Sequence, residues 1–270
     1  MRFISNARMY AVCPRAEEAW SALIACVAAE AGTSFHYEEY RAPQPLEDLW
    51  RRADVGCVQM CGYPIARRVA DVVPLASPIP AASWAGGKAV YRTDLIVRKD
   101  AGYRALEETF SGTAGWTVSH SQSGFNAFRY HLLQYRAAGQ ERVFKRSVGN
   151  LITARKIIDS VLDGTIDVGP LDAYWHMLIG MYQPELTAGI RTLASTDTVP
   201  MPAFVASPEV PEDVVLSLKT AFAAAHTKPW FEAFRKALLI EGFVPVTQQT
   251  FAQTLDWNTA ALEAGYPELV

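Results

Sequence analysis

Two serines that stand one residue apart, directly before a glycine, form the part of this sequence best suited to hold an anion. Ser121 and Ser123 flank Gln122 after a predicted strand, and a predicted helix begins at Gly124. The first turn of a helix carries free N–H groups and a partial positive charge, and both attract negatively charged groups. The two hydroxyls add donors, and the glycine lets a ligand approach the backbone closely. The structural alternative is that Ser123 only caps its helix.

Two further strand-to-helix turns carry polar or aromatic residues. Met9 and Tyr10 end the first predicted strand, and Cys61, Gly62 and Tyr63 follow the third. Each turn taken alone is also typical of an ordinary connection. Open α/β sheets, however, bind ligands beyond the carboxyl ends of their strands. The three turns together therefore favour a cleft that takes an anion.

Asp172 and Asn150 stand at two more junctions before predicted helices, where either residue can be a simple helix cap. A carboxylate beside a fully ionised anion is repelled. Asp172 therefore suits an anion site only if a protonated oxygen or an ammonium group of the ligand donates to it. Asn150 is a further candidate donor. Of the five histidines, only His120 lies near the predicted cleft.

The composition and the absent motifs exclude several functional classes. The chain has 25 Lys and Arg against 28 Asp and Glu, a net charge of −3 that is too balanced for a nucleic-acid-binding protein. The longest apolar stretch, residues 20–29, is too short to cross a bilayer, so we predict no integral membrane protein. The motifs of serine hydrolases, zinc proteases, P-loops and dinucleotide-binding folds are missing. We therefore predict no enzyme activity, no cofactor and no metal site.

The first residues and the cysteines bear on the compartment. A secretory leader needs a basic start followed by an apolar core, whereas this sequence is already polar at Ser5. Four cysteines in so long a chain make no disulfide framework and are interpreted as buried thiols. As written, the chain is predicted to be cytoplasmic; it is predicted to be periplasmic if a leader has been removed.

The predicted secondary structure sets the fold class. Strands alternate with helices along the chain, which is typical of parallel sheets joined by helical crossovers. The helix-rich C-terminal part argues against a barrel of eight strand–helix units. We predict an α/β protein with two lobes, the first formed by residues 1–92 and 200–270 and the second by residues 93–199.

The order of these segments resembles the phosphate/phosphonate-type solute-binding proteins of ABC transporters, which have the type 2 periplasmic-binding fold. The resemblance covers nearly the whole chain. It rests on Met9 with Tyr10, residues 61–64, 91–93 and 121–127, Gly149 with Asn150, and residues 164–167 with Asp172. Asn150 stands where the family often has histidine. The resemblance implies that each lobe is a mainly parallel sheet flanked by helices, with the ligand in a cleft between the lobes.

The resemblance also implies roles for the site residues. Ser121, Ser123 and Gly124 would hold a phosphoryl-like group, and Asp172 would contact a protonated oxygen or an amine. The tyrosines Tyr10, Tyr63 and Tyr91 would close from the other lobe. The complete predicted ligand-binding set is Met9, Tyr10, Cys61, Gly62, Tyr63, Tyr91, Ser121, Gln122, Ser123, Gly124, Asn150 and Asp172.

The function that follows is a non-catalytic receptor for a small oxyanion of the phosphate, phosphite or phosphonate class. Its implied partner is the permease of an ABC-type importer. Two alternatives share the same fold. One is a leaderless cytoplasmic enzyme similar to the menaquinone and thiamine-pyrimidine biosynthetic relatives, and the other is a ligand-sensing protein.

Overall fold

The structure, a computed structural model, describes residues 2–136 and 142–269. Its strands are β1 (Ile4–Asn6), β2 (His36–Tyr37), β3 (Val55–Met60), β4 (Val73–Pro80), β5 (Val90–Tyr91), β6 (Thr93–Arg98), β7 (Thr113–Gly115), β8 (Arg146–Val148), β9 (Gly169–Asp172), β10 (Ile190–Ser195), β11 (Val199–Pro200), β12 (Ala203–Ala206) and β13 (Ile240–Pro245). Its α-helices are α1 (Pro14–Glu30), α2 (Leu46–Trp50), α3 (Gly62–Ala66), α4 (Ala127–His131), α5 (Ala154–Leu162), α6 (Ala173–Tyr182), α7 (Pro184–Thr187), α8 (Glu212–Ala224), α9 (Phe231–Leu238) and α10 (Ala252–Glu263). The predicted α/β class is confirmed.

The chain divides into two compact units. Unit 1 comprises Met1–Tyr91 and Pro200–Ala252, and unit 2 comprises Arg92–Val199 and Gln253–Val270. The prediction placed all of 200–270 with the first lobe, whereas the structure groups the residues after Ala252 with unit 2. A helical pattern shows that α10 has a face to bury but not which sheet or helix will cover it.

Unit 1 is built on a six-stranded sheet in the order β13-β4-β12-β3-β1-β2. β1 pairs in parallel with β2 and β3, and β12 runs antiparallel to both β3 and β4. The four N-terminal strands therefore share one direction, as the strand–helix alternation predicts. β12 and β13 run the other way, β13 pairing antiparallel with β4. Four of the six strands thus run in one direction, and two strands from the returning chain enter the sheet in the opposite direction.

The core of unit 1 is organised around Phe204 on β12. Its ring lies 5.7 Å from that of Trp20 on α1 and 5.2 Å from that of Phe222 on α8. The ring of Phe243 on β13 lies 4.9 Å from Phe222. This face of the sheet is thus covered by α1 and α8 through aromatic contacts.

Unit 2 is centred on β6, which pairs antiparallel with β10 on one side and with β9 on the other. Both pairings contradict the expectation of a mainly parallel sheet in the second lobe. Leu95 and Val97 pack into one apolar cluster with Phe128 and Phe144, while Ile96 packs into a second cluster on α5. Because both faces of β6 are covered at its centre, Leu95, Ile96 and Val97 form an uninterrupted apolar run.

The predicted helix from Gly124 to about residue 137 has an irregular start. The structure forms a π-helical turn over Gln122–Asn126, then α4, then a 3-10 turn over Leu132–Tyr135. Residue 137 lies outside the described residues. The Asn126 N–H donates to the Ser121 carbonyl at 3.0 Å, an i to i+5 bond that marks the π turn.

Candidate functional site

The 121–124 turn of unit 2 is capped by Ser121. The Ser121 Oγ accepts a hydrogen bond from the Gly124 N–H at 3.0 Å. The structural alternative, in which Ser123 is the cap, is therefore wrong. Ser123 is 8% exposed, and its hydroxyl makes no hydrogen bond with any residue in 2–136 or 142–269. Ser123 thus keeps a nearly buried donor that the helix start does not use.

Gly124 is required by the packing of this turn. A Cβ at this position would overlap the Thr117 hydroxyl oxygen and would lie 2.9 Å from the Ser121 Oγ. The Thr117 N–H also donates to the Gly124 carbonyl at 3.1 Å. The approach of Thr117 alone therefore demands a glycine here, whereas the sequence led us to expect that a ligand demands it.

Thr93 joins the turn to the central strand of unit 2. Its hydroxyl donates to the Ser123 carbonyl at 3.2 Å, and its N–H donates to the Thr196 hydroxyl at 3.0 Å. In the β6–β9 pairing Thr93 stands directly opposite Asp172. Ser123 and Asp172 are both neighbours of one threonine, so the structure brings these two predicted residues together.

Asp172 caps α6. Its Oδ1 accepts from the N–H groups of Tyr174 at 2.9 Å and Trp175 at 3.0 Å. Burial raises the pKa of Tyr174 well above its usual range, and the Asp172 charge adds to that rise. The capping alternative is thus observed for Asp172.

Asn150 is exposed and has a left-handed backbone with φ of 56°, which asparagine adopts more readily than most residues. It is not a helix cap, because α5 is capped by Thr153, whose hydroxyl accepts from the Lys156 N–H at 3.1 Å. The Leu151 N–H donates to the Trp116 carbonyl at 3.2 Å. This bond holds Asn150 beside the segment that leads through Thr117 to Gly124.

Gln122 is fully buried at the start of the π turn. Its Oε1 accepts from the Asn126 Nδ2 at 2.8 Å. Its Nε2 has no hydrogen-bond partner among the described residues. Gln122 and Ser123 therefore both present donors that the protein itself leaves unused, next to the N–H groups of the helix start.

The predicted residues of unit 1 follow two neighbouring strands. β1 and β3 are parallel and adjacent, so Met9 and Tyr10 after β1 lie at the same sheet edge as the residues after β3. Tyr63 is buried on α3, with the Arg67 guanidinium 5.4 Å from its ring centroid. A Cβ at Gly62 would lie 2.5 Å from the Phe251 ring. Close packing therefore explains this glycine, too.

The remaining unit 1 residues pack near the same edge. Cys61 precedes α3 and is buried. The Tyr10 hydroxyl lies 4.0 Å from the Met201 sulfur, and the Met201 N–H donates to the Ala89 carbonyl at 2.9 Å. Met201 thus links Tyr10 to the segment that carries Tyr91, which is also buried.

Two residues that build the unit 2 turn are absent from the predicted ligand-binding set: Thr117, and Thr93, which the sequence indicated only as one of residues 91–93 of the family resemblance. Nothing in a lone threonine within or after a strand distinguishes it from a core residue. Only the close approach to Gly124 and the bond to Ser123 show their importance. Within the described ranges, no group of three or more His, Cys, Asp or Glu is placed to hold a metal ion. No helix of the described chain has both the length and the apolar character needed to cross a membrane.

Comparison with known proteins identifies the family. The sequence model described as "ABC transporter, phosphonate, periplasmic substrate-binding protein" matches residues 14–251. A search of curated proteins gave no match.

Solved structures share the fold at low sequence identity. A binding-protein component of an ABC phosphonate transporter from Pseudomonas aeruginosa aligns with a TM-score of 0.79 at 15% identity, covering 97% of this chain and 87% of that one. PhnD1 from Prochlorococcus marinus, in complex with methylphosphonate, aligns with a TM-score of 0.77 at 13% identity, covering 97% and 98%. A Xanthomonas citri protein bound to ATP aligns with a TM-score of 0.66 at 17% identity, covering 98% of each chain.

These comparisons confirm the resemblance inferred from the sequence and the two-lobed binding-protein fold. They also confirm the prediction that the protein is not an enzyme, since the family is a ligand-binding component of transporters. The chain therefore belongs to the phosphonate-binding family of periplasmic substrate-binding proteins of ABC transporters.

Proposed function

We propose that this protein captures a small tetrahedral oxyanion of the phosphate, phosphite or phosphonate class at the 121–124 turn and delivers it to an ABC-type importer. The observation that carries the proposal is a pair of donors that the described residues leave unused, the buried Gln122 Nε2 and the hydroxyl of Ser123, a residue that is 8% exposed. Family membership supports a small ligand, and the turn supports an acidic one.

The energetics favour an anion as the missing partner. Leaving a buried donor unsatisfied costs about 1–3 kcal/mol, whereas a hydrogen bond to a charged group contributes about 1.5–3 kcal/mol. The helix start adds further N–H donors and a partial positive charge. An oxyanion accepts several such bonds at once, so it satisfies the Ser123 hydroxyl, the Gln122 amide and the backbone together.

Asp172 and Asn150 narrow the range of ligands in this proposal. A carboxylate that neighbours the turn through Thr93 disfavours a fully ionised ligand. It favours one that carries a proton on an oxygen, or an amino group, to donate to it. Asn150 is neutral and both donates and accepts, so it tolerates either form. The contributions of Tyr10, Tyr63 and Tyr91 stay a prediction, which phenylalanine substitutions at each position test.

Calorimetry and thermal shift against four ligands test the proposal: phosphate, phosphite, methylphosphonate and 2-aminoethylphosphonate. A bound ligand at a hundred times its Kd stabilises the protein by about 2.7 kcal/mol. Ser123→Ala is expected to weaken binding about tenfold or more, because it removes a hydrogen bond to a charged group. Ser119→Ala, on the exposed part of the same segment, is the matched control and keeps the affinity.

Two outcomes contradict this function. One is that none of the four oxyanions binds, and the other is that Ser123→Ala binds as tightly as the wild type. The importer role has its own test, uptake of the bound oxyanion by cells with and without the gene. Unchanged uptake in the deletion strain would refute that part while leaving ligand capture intact.

A further inference from the structure

Behind the 121–124 turn lies a chain of buried polar side chains that the proposed function does not require. Arg129, on α4, is 3% exposed, and Asn126 is fully buried. The Arg129 Nη2 donates to the Asn126 Oδ1 at 3.1 Å. The Asn126 Nδ2 in turn donates to the Gln122 Oε1 at 2.8 Å. The chain ends at the Gln122 Nε2, which has no partner among the described residues.

From this geometry we propose that Arg129 is a positioning residue that forces Gln122 to present a hydrogen-bond donor, and not an acceptor, to the ligand. The inference rests on the proposed oxyanion site and specifies what makes Gln122 a donor in that site. A guanidinium group has donors only, so the Asn126 amide must turn its oxygen toward Arg129. Its nitrogen then faces Gln122 and uses the Gln122 oxygen. Only the Gln122 Nε2 group remains for a ligand.

The C-terminal segment, residues 253–269, holds Arg129 in place. The Arg129 Nη1 donates to the Pro267 carbonyl at 2.7 Å, and its Nη2 donates to the Asn258 Oδ1 at 2.6 Å. The Asn126 Nδ2 also donates to the Thr254 carbonyl at 2.9 Å. These anchors all lie beyond the end of the family match at residue 251. The tail therefore holds Arg129 through Pro267 and Asn258, and its Thr254 carbonyl favours the same orientation of the Asn126 amide.

The chemical consequence is selectivity for acceptors. A glutamine whose amide is free to rotate discriminates weakly between acceptors and donors on a ligand, because either its oxygen or its nitrogen can face the ligand. With the oxygen engaged by Asn126, the amide favours phosphoryl or phosphonyl oxygens. Reversing the amide would place an oxygen toward the anion and weaken its binding.

Asn126→Asp is the sharpest perturbation. The new carboxylate still accepts from Arg129, so the Arg129 contacts to Pro267 and Asn258 persist. It has no hydrogen to donate to Gln122 or to the Thr254 carbonyl. The Gln122 amide is expected to reverse, with its Nε2 donating to the new carboxylate and its oxygen facing the ligand. We expect the affinity for methylphosphonate, measured by calorimetry on the full chain, to fall at least tenfold.

A double-mutant cycle separates amide reversal from simple charge repulsion. In a Gln122→Met background there is no amide to reverse, so adding Asn126→Asp is expected to change affinity by less than threefold. An equal loss in both backgrounds overturns the proposal. Arg136→Met is the matched control for the tail, because Arg136 also binds it, through the Ala264 carbonyl, without touching Asn126. It is expected to lower Tm with unchanged affinity.

An NMR measurement without ligand tests the orientation of the Gln122 amide independently of the proposed function. In NMR spectra of the apo protein, the Gln122 side-chain amide proton resonances are expected to move downfield in Asn126→Asp, because the amide gains a carboxylate acceptor. Identical Gln122 amide resonances in the wild type and in this variant would refute the inference. If none of the oxyanions binds the wild type but the resonances move as expected, the oxyanion function fails and the amide orientation stands.

Discussion

Replacing Gly124 with alanine places a methyl group on top of the Thr117 hydroxyl oxygen, 3.0 Å from the Thr117 Cβ and 2.9 Å from the Ser121 Oγ. Thr117 is buried, so its side chain has little room to rotate away. Overpacking of this kind costs about 1–3 kcal/mol. At about 2–4 °C per kcal/mol for a protein of this size, we expect Gly124→Ala to lower Tm by roughly 2–12 °C.

The second variant identifies the cause. Thr117→Ala removes the oxygen that the methyl group meets, and this hydroxyl has no hydrogen-bond partner among the described residues to lose. We therefore expect the Gly124→Ala/Thr117→Ala double variant to recover most of the Tm, as measured by differential scanning calorimetry. Thr117→Ser is the matched control, because it keeps the oxygen and does not rescue. A fully stable Gly124→Ala variant that nonetheless loses ligand binding would instead show that the ligand demands this glycine.

Three further predictions concern the rest of the chain. Burial lowers the pKa of His131, against a smaller opposing effect of Asp197, so the unfolded chain takes up a proton first as pH falls. The free energy of unfolding measured in urea should therefore fall as the pH is lowered from about 7.5 to 5.5. His131→Gln should make this free energy less dependent on pH, and an unchanged pH dependence would contradict the role of His131. Burial raises the pKa of the Cys57 thiol. A thiol reagent should therefore modify the partly exposed Cys13 in the native protein and reach Cys57 only on unfolding. Equal rates of modification at Cys13 and Cys57 in the native protein would contradict this. Phe204→Ala should cost about 3–5 kcal/mol in chemical denaturation, and a loss below about 1 kcal/mol would refute its central place in the core.

Local patterns predicted the well-packed elements. The sequence predicts a strand over residues 55–60 and a helix over residues 173–182, and β3 and α6 have the same bounds. Largely apolar runs with clear ends leave little choice. The first strand was predicted to reach residue 10, but it ends at Asn6. There the Asn6 Oδ1 accepts from the Arg8 N–H at 2.8 Å, a local turn that competes with strand pairing.

Non-local pairing limits what a sequence reveals about topology. The positions of β12 between β3 and β4, and of the C-terminal residues on unit 2, depend on contacts between distant segments. Helix periodicity gives the face that an element buries but not its partner. This is why the alternation of elements predicted the α/β class correctly and the direction of the last strands wrongly.

The candidate site was predictable in outline and not in detail. The serines, the glycine and Asp172 stood out because helix starts that follow strands are where anions bind. The exchange of roles between Ser121 and Ser123 depends on a π turn, which a 3.6-residue periodicity does not reveal. The donor on Gln122 depends on Arg129 and on acceptors in the tail, which come together only in the folded chain.

A crystal structure of the protein soaked with methylphosphonate is the direct test of oxyanion binding at the 121–124 turn. We predict that phosphonyl oxygens lie within hydrogen-bonding distance of the Ser123 hydroxyl and the Gln122 side-chain nitrogen. Methylphosphonate bound elsewhere on the chain, with both of these donors still lacking an acceptor, would refute oxyanion binding at this turn.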